Sequence, residues 1–185
     1  YEDLKIANEE IILVRVTGFG QEGPYRRRTA YDRMGVAMGG LSHVTGEPDR
    51  PPVRPGFAIG DYTTATFNAL ATLLALYWRD AHGGTGQWAD VSLYESIFRL
   101  TEASALAFDK LGVVRERTGN HHPATRIGGI YRTQCGRWVT MEIFTEKALR
   151  ALGAILGRNG SSLEGQVGNE LIKRWVSSRT LEELR

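Results

Sequence analysis

Short β-branched runs and longer periodic blocks alternate along the chain. Ile11-Ile12-Leu13-Val14-Arg15-Val16, closed by Gly18 and Gly20, predicts a buried strand, and Tyr1-Glu2-Asp3-Leu4-Lys5 before it reads as the tail of a short helix. Residues 18–28 are a loop, with two glycines and Pro24, and residues 31–38 predict a short helix stopped by Gly39-Gly40. Residues 46–56 hold Pro48, Pro51, Pro52 and Pro55, which enforce an extended connector. From Asp61 to His82, apolar positions (Phe67, Leu70, Leu73, Leu74, Leu76, Tyr77) cover most of the helical wheel, so this helix is expected to be largely buried. Residues 88–93 predict a strand, and residues 94–111 a second long helix ended by Gly112.

The pattern changes after Gly112. Residues 113–124 are polar and loop-like. Ile130-Tyr131-Arg132-Thr133, a Cys-Gly turn and residues 137–143 predict a hairpin, with Val139, Met141 and Ile143 on one face. Helices are expected at residues 145–156 and 170–177. Thr180 and Glu183 form a capping-box pattern expected to open a last helix. The strand–helix–strand–helix order of residues 1–112 predicts a parallel α/β layer, residues 113–120 a linker, and residues 121–185 a separate small α+β unit.

Composition narrows the class. The 185 residues are 42% hydrophobic and 24% charged, ordinary for a globular domain and unlike a disordered, collagenous or disulfide-dense chain. Lys+Arg (23) and Asp+Glu (21) nearly cancel, which argues against nucleic acid as a partner. The basic cluster Arg26-Arg27-Arg28 reads first as a solvated turn and second as an anion contact. Cys135 has no cysteine to pair with, which fits a reducing cytoplasm. The most apolar stretch, residues 65–78, is shorter than the ~20 residues a membrane span needs. His121-His122 with Cys135 lacks closed zinc spacing and reads as loop, so no metal is expected. There is no Gly-x-Ser-x-Gly and no P-loop, and Gly18-Phe19-Gly20 is too short for a dinucleotide fingerprint. Cys135 sits in a turn without a neighbouring base and reads as inert.

Asp61 follows Gly60 at the start of the apolar helix. One reading is a first-turn carboxylate that suits the positive helix N-terminus. The other is a nucleophile, because a carboxylate at a chain turn, carried on a rigidly held helix, is both reachable and positioned.

The run Val16-Thr17-Gly18-Phe19-Gly20-Gln21-Glu22-Gly23-Pro24-Tyr25 resembles the signature loop of the class III CoA-transferases, the family of formyl-CoA transferase and the carnitine CoA-transferase. The likeness continues in order through Tyr31-Asp32, Gly39-Gly40-Leu41, Thr45-Gly46, Pro51-Pro52, Gly60-Asp61, Thr85-Gly86-Gln87, Asp90-Val91-Ser92-Leu93 and Gly119-Asn120-His121-His122-Pro123. It covers nearly the whole chain. The resemblance implies a Rossmann-like large domain, present in part over residues 1–112, and the start of a small α+β domain over residues 121–185. It also implies an interlocked homodimer. By the same resemblance Asp61 is the catalytic nucleophile. It would attack an acyl-CoA, pass through a mixed anhydride to an aspartyl-CoA thioester, and deliver CoA to a carboxylic acid acceptor through a second anhydride. CoA is then a substrate, with no separate cofactor. Gly128 and Gly129 match the position of the loop that shields the intermediate from water, although Arg126 and Ile127 make this stretch thinner in glycine. Tyr31, Gly39 and Gly40 fall in the substrate pocket, and Arg26, Arg28 and Arg126 are candidates for the CoA phosphates.

Two departures argue against a strict formyl-CoA/oxalate enzyme. Val36 stands where many members carry a glutamine, and Thr29 where formyl-CoA transferase has a CoA-holding lysine. The exchanged acids stay open. A second reading is an α-methylacyl-CoA racemase, but its histidine aligns with Tyr31, and a phenol with a pKa of about 10 is a poor base at neutral pH. A third is a non-catalytic acyl-CoA-binding protein. The motif order also implies that Tyr1 and Arg185 fall inside a longer enzyme. The 185 residues alone are therefore expected to be poorly soluble and without turnover.

Overall fold

A computed structural model describes residues 1–185, the side chain of Gln166 excepted. The chain divides into two compact units, one of Tyr1–Thr45 with Arg50–Arg117, the other of Gly46–Asp49 with Thr118–Arg185.

The first unit opens with α1 (Glu2–Ala7) and β1 (Leu13–Thr17), continues through α2 (Asp32–Met38), α3 (Leu41–Val44) and α4 (Ile59–His82), and reaches β2 (Trp88–Ser92), α5 (Leu93–Phe98) and α6 (Ser104–Leu111). Strands β1 and β2 pair in parallel, with Leu13 opposite Trp88 and Thr17 opposite Ser92. A parallel pair needs a crossover, and α2, α3 and α4 supply it. Several glycines of the sequence motifs sit where backbones meet. A Cβ on Gly18 would lie 2.2 Å from Ala30 Cβ, and one on Gly86 would lie 2.4 Å from the Ile11 carbonyl oxygen. The Gln21 N–H of the signature loop donates to Asp90 Oδ2 at 2.5 Å, which ties that loop to β2.

Two expectations are corrected. Helix α4 is not largely buried. It packs against α2, α5, β1 and β2, and only Gly60, Thr64 and Ala75 are buried. Leu70, Leu73, Leu74, Tyr77 and Trp78 keep 51–63% of their surface. One flank meets α2, α5 and the two-stranded sheet, while the other is left uncovered by these 185 residues. The helix expected over residues 94–111 is broken. After α5, Arg99–Thr101 form a 3₁₀ turn, and Glu102 takes φ 56° before α6 begins. The Thr101 hydroxyl donates to the Phe98 carbonyl at 2.7 Å and the Ser104 hydroxyl to the Thr101 carbonyl at 2.7 Å. These bonds satisfy carbonyl oxygens at the break, the competition that Ser and Thr offer to helical pairing.

The second unit contains β3 (Ile127–Arg132), β4 (Trp138–Ile143), α7 (Glu146–Ile155) and α8 (Gly165–Ser177), with a 3₁₀ turn at Gly160–Leu163. Strands β3 and β4 form the expected antiparallel hairpin, Ile127 opposite Ile143 and Arg132 opposite Trp138. The turn closes through Thr133 N–H to the Arg137 carbonyl at 2.8 Å, with Gly136 at φ 77°. Thr145 caps α7 by accepting the Ala148 N–H. Ile127, Tyr131, Ile143, Leu149, Leu152, Leu163, Ile172 and Val176 make one continuous core. The buried apolar set of the first unit is thinner, namely Val36, Ala75, Leu93 and Ile97. The capping box forms, with the Thr180 N–H donating to Glu183 Oε2 and the Glu183 N–H to the Thr180 hydroxyl, but residues 181–184 make a turn and not the expected helix.

Candidate active site

The N-terminal end of α4 is assembled from two segments far apart in sequence. The connector expected to be extended over residues 46–56 turns at Pro48-Asp49 and is closed by the Val53 N–H donating to the Thr45 carbonyl at 3.0 Å, and only residues 51–55 run on without a turn toward α4. Helix α4 then starts at Ile59 without a side-chain cap from its own N-cap residue, Ala58. The cap comes from α2: the Gly60 N–H donates to Asp32 Oδ1 at 2.8 Å, across 28 residues. Asp32 is buried, and its other oxygen lies 4.0 Å from the Arg54 guanidinium. A carboxylate at this place suits the unpaired N–H groups and partial positive charge of a helix start.

Gly60 is tightly packed. A Cβ there would stand 3.0 Å from Asp32 Oδ1 and 3.3 Å from Val36 Cγ2. Asp61 follows in the first turn of α4 with its side chain exposed. Among the described residues it makes no hydrogen bond or ion pair. Of the two sequence readings, its place in the first turn holds in the structure, but the capping is done by Asp32. The Asp61 carboxylate is left uncommitted on a helix whose start is fixed from outside.

Tyr31, Gly39 and Gly40 lie in the same unit as Asp61. Tyr31 is the N-cap residue of α2, directly before Asp32, and is 70% exposed. Gly39 is a close-approach residue, since a Cβ would lie 2.6 Å from Ile97 Cγ2 and 2.7 Å from the Tyr94 carbonyl oxygen. Gly40 adopts φ 91° and serves as N-cap of α3. Arg26 and Arg28 are exposed. Arg26 donates to the Gly23 carbonyl at 3.1 Å, and the Arg28 guanidinium stacks 4.3 Å from the Tyr25 ring centroid.

Gly128, Gly129 and Arg126 belong to the second unit. Gly128 and Gly129 were expected in a shielding loop, and the structure places them instead within β3, paired with Glu142 and Met141. Both are confined, because a Cβ would meet Thr125 Oγ1 at 2.7 Å at Gly128 and the Tyr131 hydroxyl at 2.8 Å at Gly129. Arg126 is engaged by Glu164 at 2.6 Å and Glu146 at 3.3 Å, so an incoming phosphate would compete with two carboxylates. Cys135 is exposed, and a hydrogen bond shared with Thr133 holds its thiol below the usual range. Among the described residues no group of three or more His, Cys, Asp and Glu is placed to hold a metal ion, and no helix is long and apolar enough to cross a membrane.

Asp32 and Arg54 are what the sequence reading missed. Asp32 counted only as part of a motif, and Arg54 not at all. The available signal was a helix start that lacks a capping side chain of its own, since Ile59 follows Ala58 and Phe57.

The chain is 34% identical over 197 residues to succinyl-CoA–D-citramalate CoA-transferase of Chloroflexus aurantiacus, a match covering 100% of this chain and 49% of that protein. It is 35% identical over 198 residues to the beta subunit of succinyl-CoA–L-malate CoA-transferase of the same organism, again 100% and 49%. The crystal structure of a CAIB/BAIF family protein from Brucella suis matches with a TM-score of 0.78 at 28% identity, covering 100% of this chain and 51% of that one. The chain thus spans about half the length of the curated relatives it matches. The profile of CoA-transferase family III matches residues 1–185, and the chain belongs to that family.

Proposed function

We propose that the protein of which these residues form part moves CoA from an acyl-CoA donor to a small carboxylic acid, with Asp61 as the nucleophile. The observation that carries this reading is the uncommitted Asp61 carboxylate in the first turn of α4, behind a Gly60 held by Asp32. The Asp61 carboxylate attacks the donor thioester carbonyl and expels CoA thiolate, leaving a mixed anhydride. The thiolate attacks the aspartyl carbonyl of that anhydride, releasing the donor acid and leaving an aspartyl-CoA thioester. The acceptor carboxylate attacks this thioester and again expels the thiolate, which takes the acceptor's acyl group and frees Asp61. Each step exchanges one activated acyl bond for another, so no single step carries the whole barrier. Water has to be kept away, because both anhydrides and the thioester hydrolyse.

Succinyl-CoA is the first donor to try, since the two Chloroflexus relatives named above are both succinyl-CoA-dependent by name. The same reading carries a homodimeric assembly in the cytoplasm. The test is to incubate the full-length protein with succinyl-CoA and search by mass spectrometry for CoA on Asp61. Asp61→Ala is expected to abolish both adduct and turnover. Full transferase activity in Asp61→Ala would sink the reading. Solvent deuterium entering the α-position of a 2-methylacyl-CoA without an acceptor acid would favour a racemase.

A further inference from the structure

The Asp32 carboxylate that caps α4 also forms part of the wall of a cleft of roughly 210 Å³, together with Arg33, Val36, Ser42, Pro52, Val53, Arg54 and Pro55. Three segments make it: the start of α2, the first turn of α3 and the proline-rich connector. Its chemistry is mixed in a specific way. Val36, Pro52, Val53 and Pro55 give it an apolar lining, while Arg33, Arg54 and Ser42 bring donors. Two arginines and one aspartate contribute to the lining, so its charged part is net positive. Among the described residues neither Arg33 nor Arg54 donates a hydrogen bond. The 4.0 Å separation of Arg54 from Asp32 exceeds hydrogen-bonding length. Asp32 has already committed Oδ1 to Gly60, and that bond places the cleft wall one residue from Asp61.

An apolar lining with free guanidinium donors beside it is what a short aliphatic chain ending in a carboxylate requires. Methylene groups go against the prolines and valines. The planar guanidinium matches a carboxylate with two parallel hydrogen bonds. We propose that the cleft formed by Arg33, Arg54 and Ser42 is the subsite for the distal carboxylate of a dicarboxylic acid, so that these residues select dicarboxylates over monocarboxylates at Asp61. The proposal rests on the transferase reading above and adds the substrate class to it. The carboxylate that reacts would approach Asp61, and the one that does not react would be held in the cleft. Binding energy from a group remote from the chemistry then fixes the orientation of the reacting one.

The test uses the full-length protein and two acceptors of equal chain length, glutarate and pentanoate, with succinyl-CoA as donor. In a double-displacement reaction kcat/KM for the acceptor reports only the second half-reaction, so the donor's own carboxylate does not enter. The wild-type protein is expected to favour glutarate, both as acceptor and as a competing ligand. Arg54→Met and Arg33→Met are each expected to reduce the glutarate-to-pentanoate ratio of kcat/KM by about 10- to 100-fold, the range of a lost charge-assisted hydrogen bond. Arg33→Met matters because Arg33 has no ion pair with Asp32, so its effect does not pass through the α4 cap. Arg54→Lys is expected to fall between, keeping charge but losing the paired geometry. A wild-type protein that does not prefer glutarate, or variants that lose both acceptors in equal proportion, would overturn the subsite. CoA-adduct formation on Asp61, measured in parallel, separates the two ideas. An adduct with no dicarboxylate preference leaves the nucleophile and removes the subsite, whereas no adduct and an active Asp61→Ala remove Asp61 as the nucleophile on which the proposal rests.

Discussion

Replacing Asp32 by alanine tests whether the start of α4 is held from α2. The substitution removes the acceptor of the Gly60 N–H, a 2.8 Å bond to a buried carboxylate. Hydrogen bonds to charged groups contribute about 1.5–3 kcal/mol, and loss of a helix cap costs about 0.5–2 kcal/mol. These describe the same bond from two sides and are not summed. The lost attraction between Asp32 and Arg54 adds little, because at 4.0 Å the pair is long and the arginine side chain is 51% exposed. The expected cost is therefore about 2 kcal/mol, concentrated in the first turn of α4. Asp32→Asn keeps an oxygen acceptor in place and is expected to cost about half as much. Hydrogen exchange of the Gly60 amide in the full-length protein reads this locally. A loss of 2 kcal/mol corresponds to roughly 30-fold faster exchange, while amides in the β3–β4 hairpin should be unaffected. Unchanged Gly60 protection in Asp32→Ala, or equal losses in the alanine and asparagine variants, would refute the argument that Asp32 is the cap.

Gly39→Ala places a Cβ 2.6 Å from Ile97 Cγ2 and 2.7 Å from the Tyr94 carbonyl oxygen. Neither neighbour is a flexible chain end, so the cost is expected near the upper end of the overpacking range, about 3 kcal/mol, measured by denaturant unfolding. A neutral Gly39→Ala would mean that α2 and α5 separate freely. Tyr131 is buried, donates to Asn169 Oδ1 at 3.1 Å, and has its phenol pKa raised above 10.0 by burial. Because the folded pKa lies above the unfolded one, its contribution is complete below about pH 10 and is lost as pH rises through the folded value. Unfolding midpoints measured from pH 8 to 11 should therefore fall more steeply in the wild type than in Tyr131→Phe, and parallel profiles would contradict this.

Local pattern was enough for the elements whose signal is local. Strands β1 and β2, the helix stop at Gly112, the hairpin turn at Cys135-Gly136 and the Thr180–Glu183 box depend on residues within a few positions of one another, so their chemistry is legible in order along the chain. The ordered motifs led to the family because they are read in order along the chain, and glycines such as Gly18 and Gly86 mark positions where another segment packs too close for a Cβ. Asp61 could also be singled out, since a carboxylate after a glycine at the head of an apolar helix is a local feature.

Tertiary structure decided the rest. Periodicity gives the apolar residues of α4 but not how much of its circumference neighbours cover. Burial is a property of the packed surroundings, and within these 185 residues neighbours cover only one flank of that helix. The break at Glu102 depends on hydroxyl-to-carbonyl bonds that compete with the helix, a balance that composition alone leaves undecided. By resemblance Gly128-Gly129 matches a shielding loop, yet pairing with Glu142 and Met141 makes it strand, because a ladder is formed with a partner and not by propensity. The setting of the candidate site is the clearest case. Asp61 is named by the sequence, but Asp32 comes to the neighbouring Gly60, and Arg54 to Asp32, only through a fold that brings α2 and the connector to the start of α4, since hydrogen bonds and clefts form between residues that are near in space.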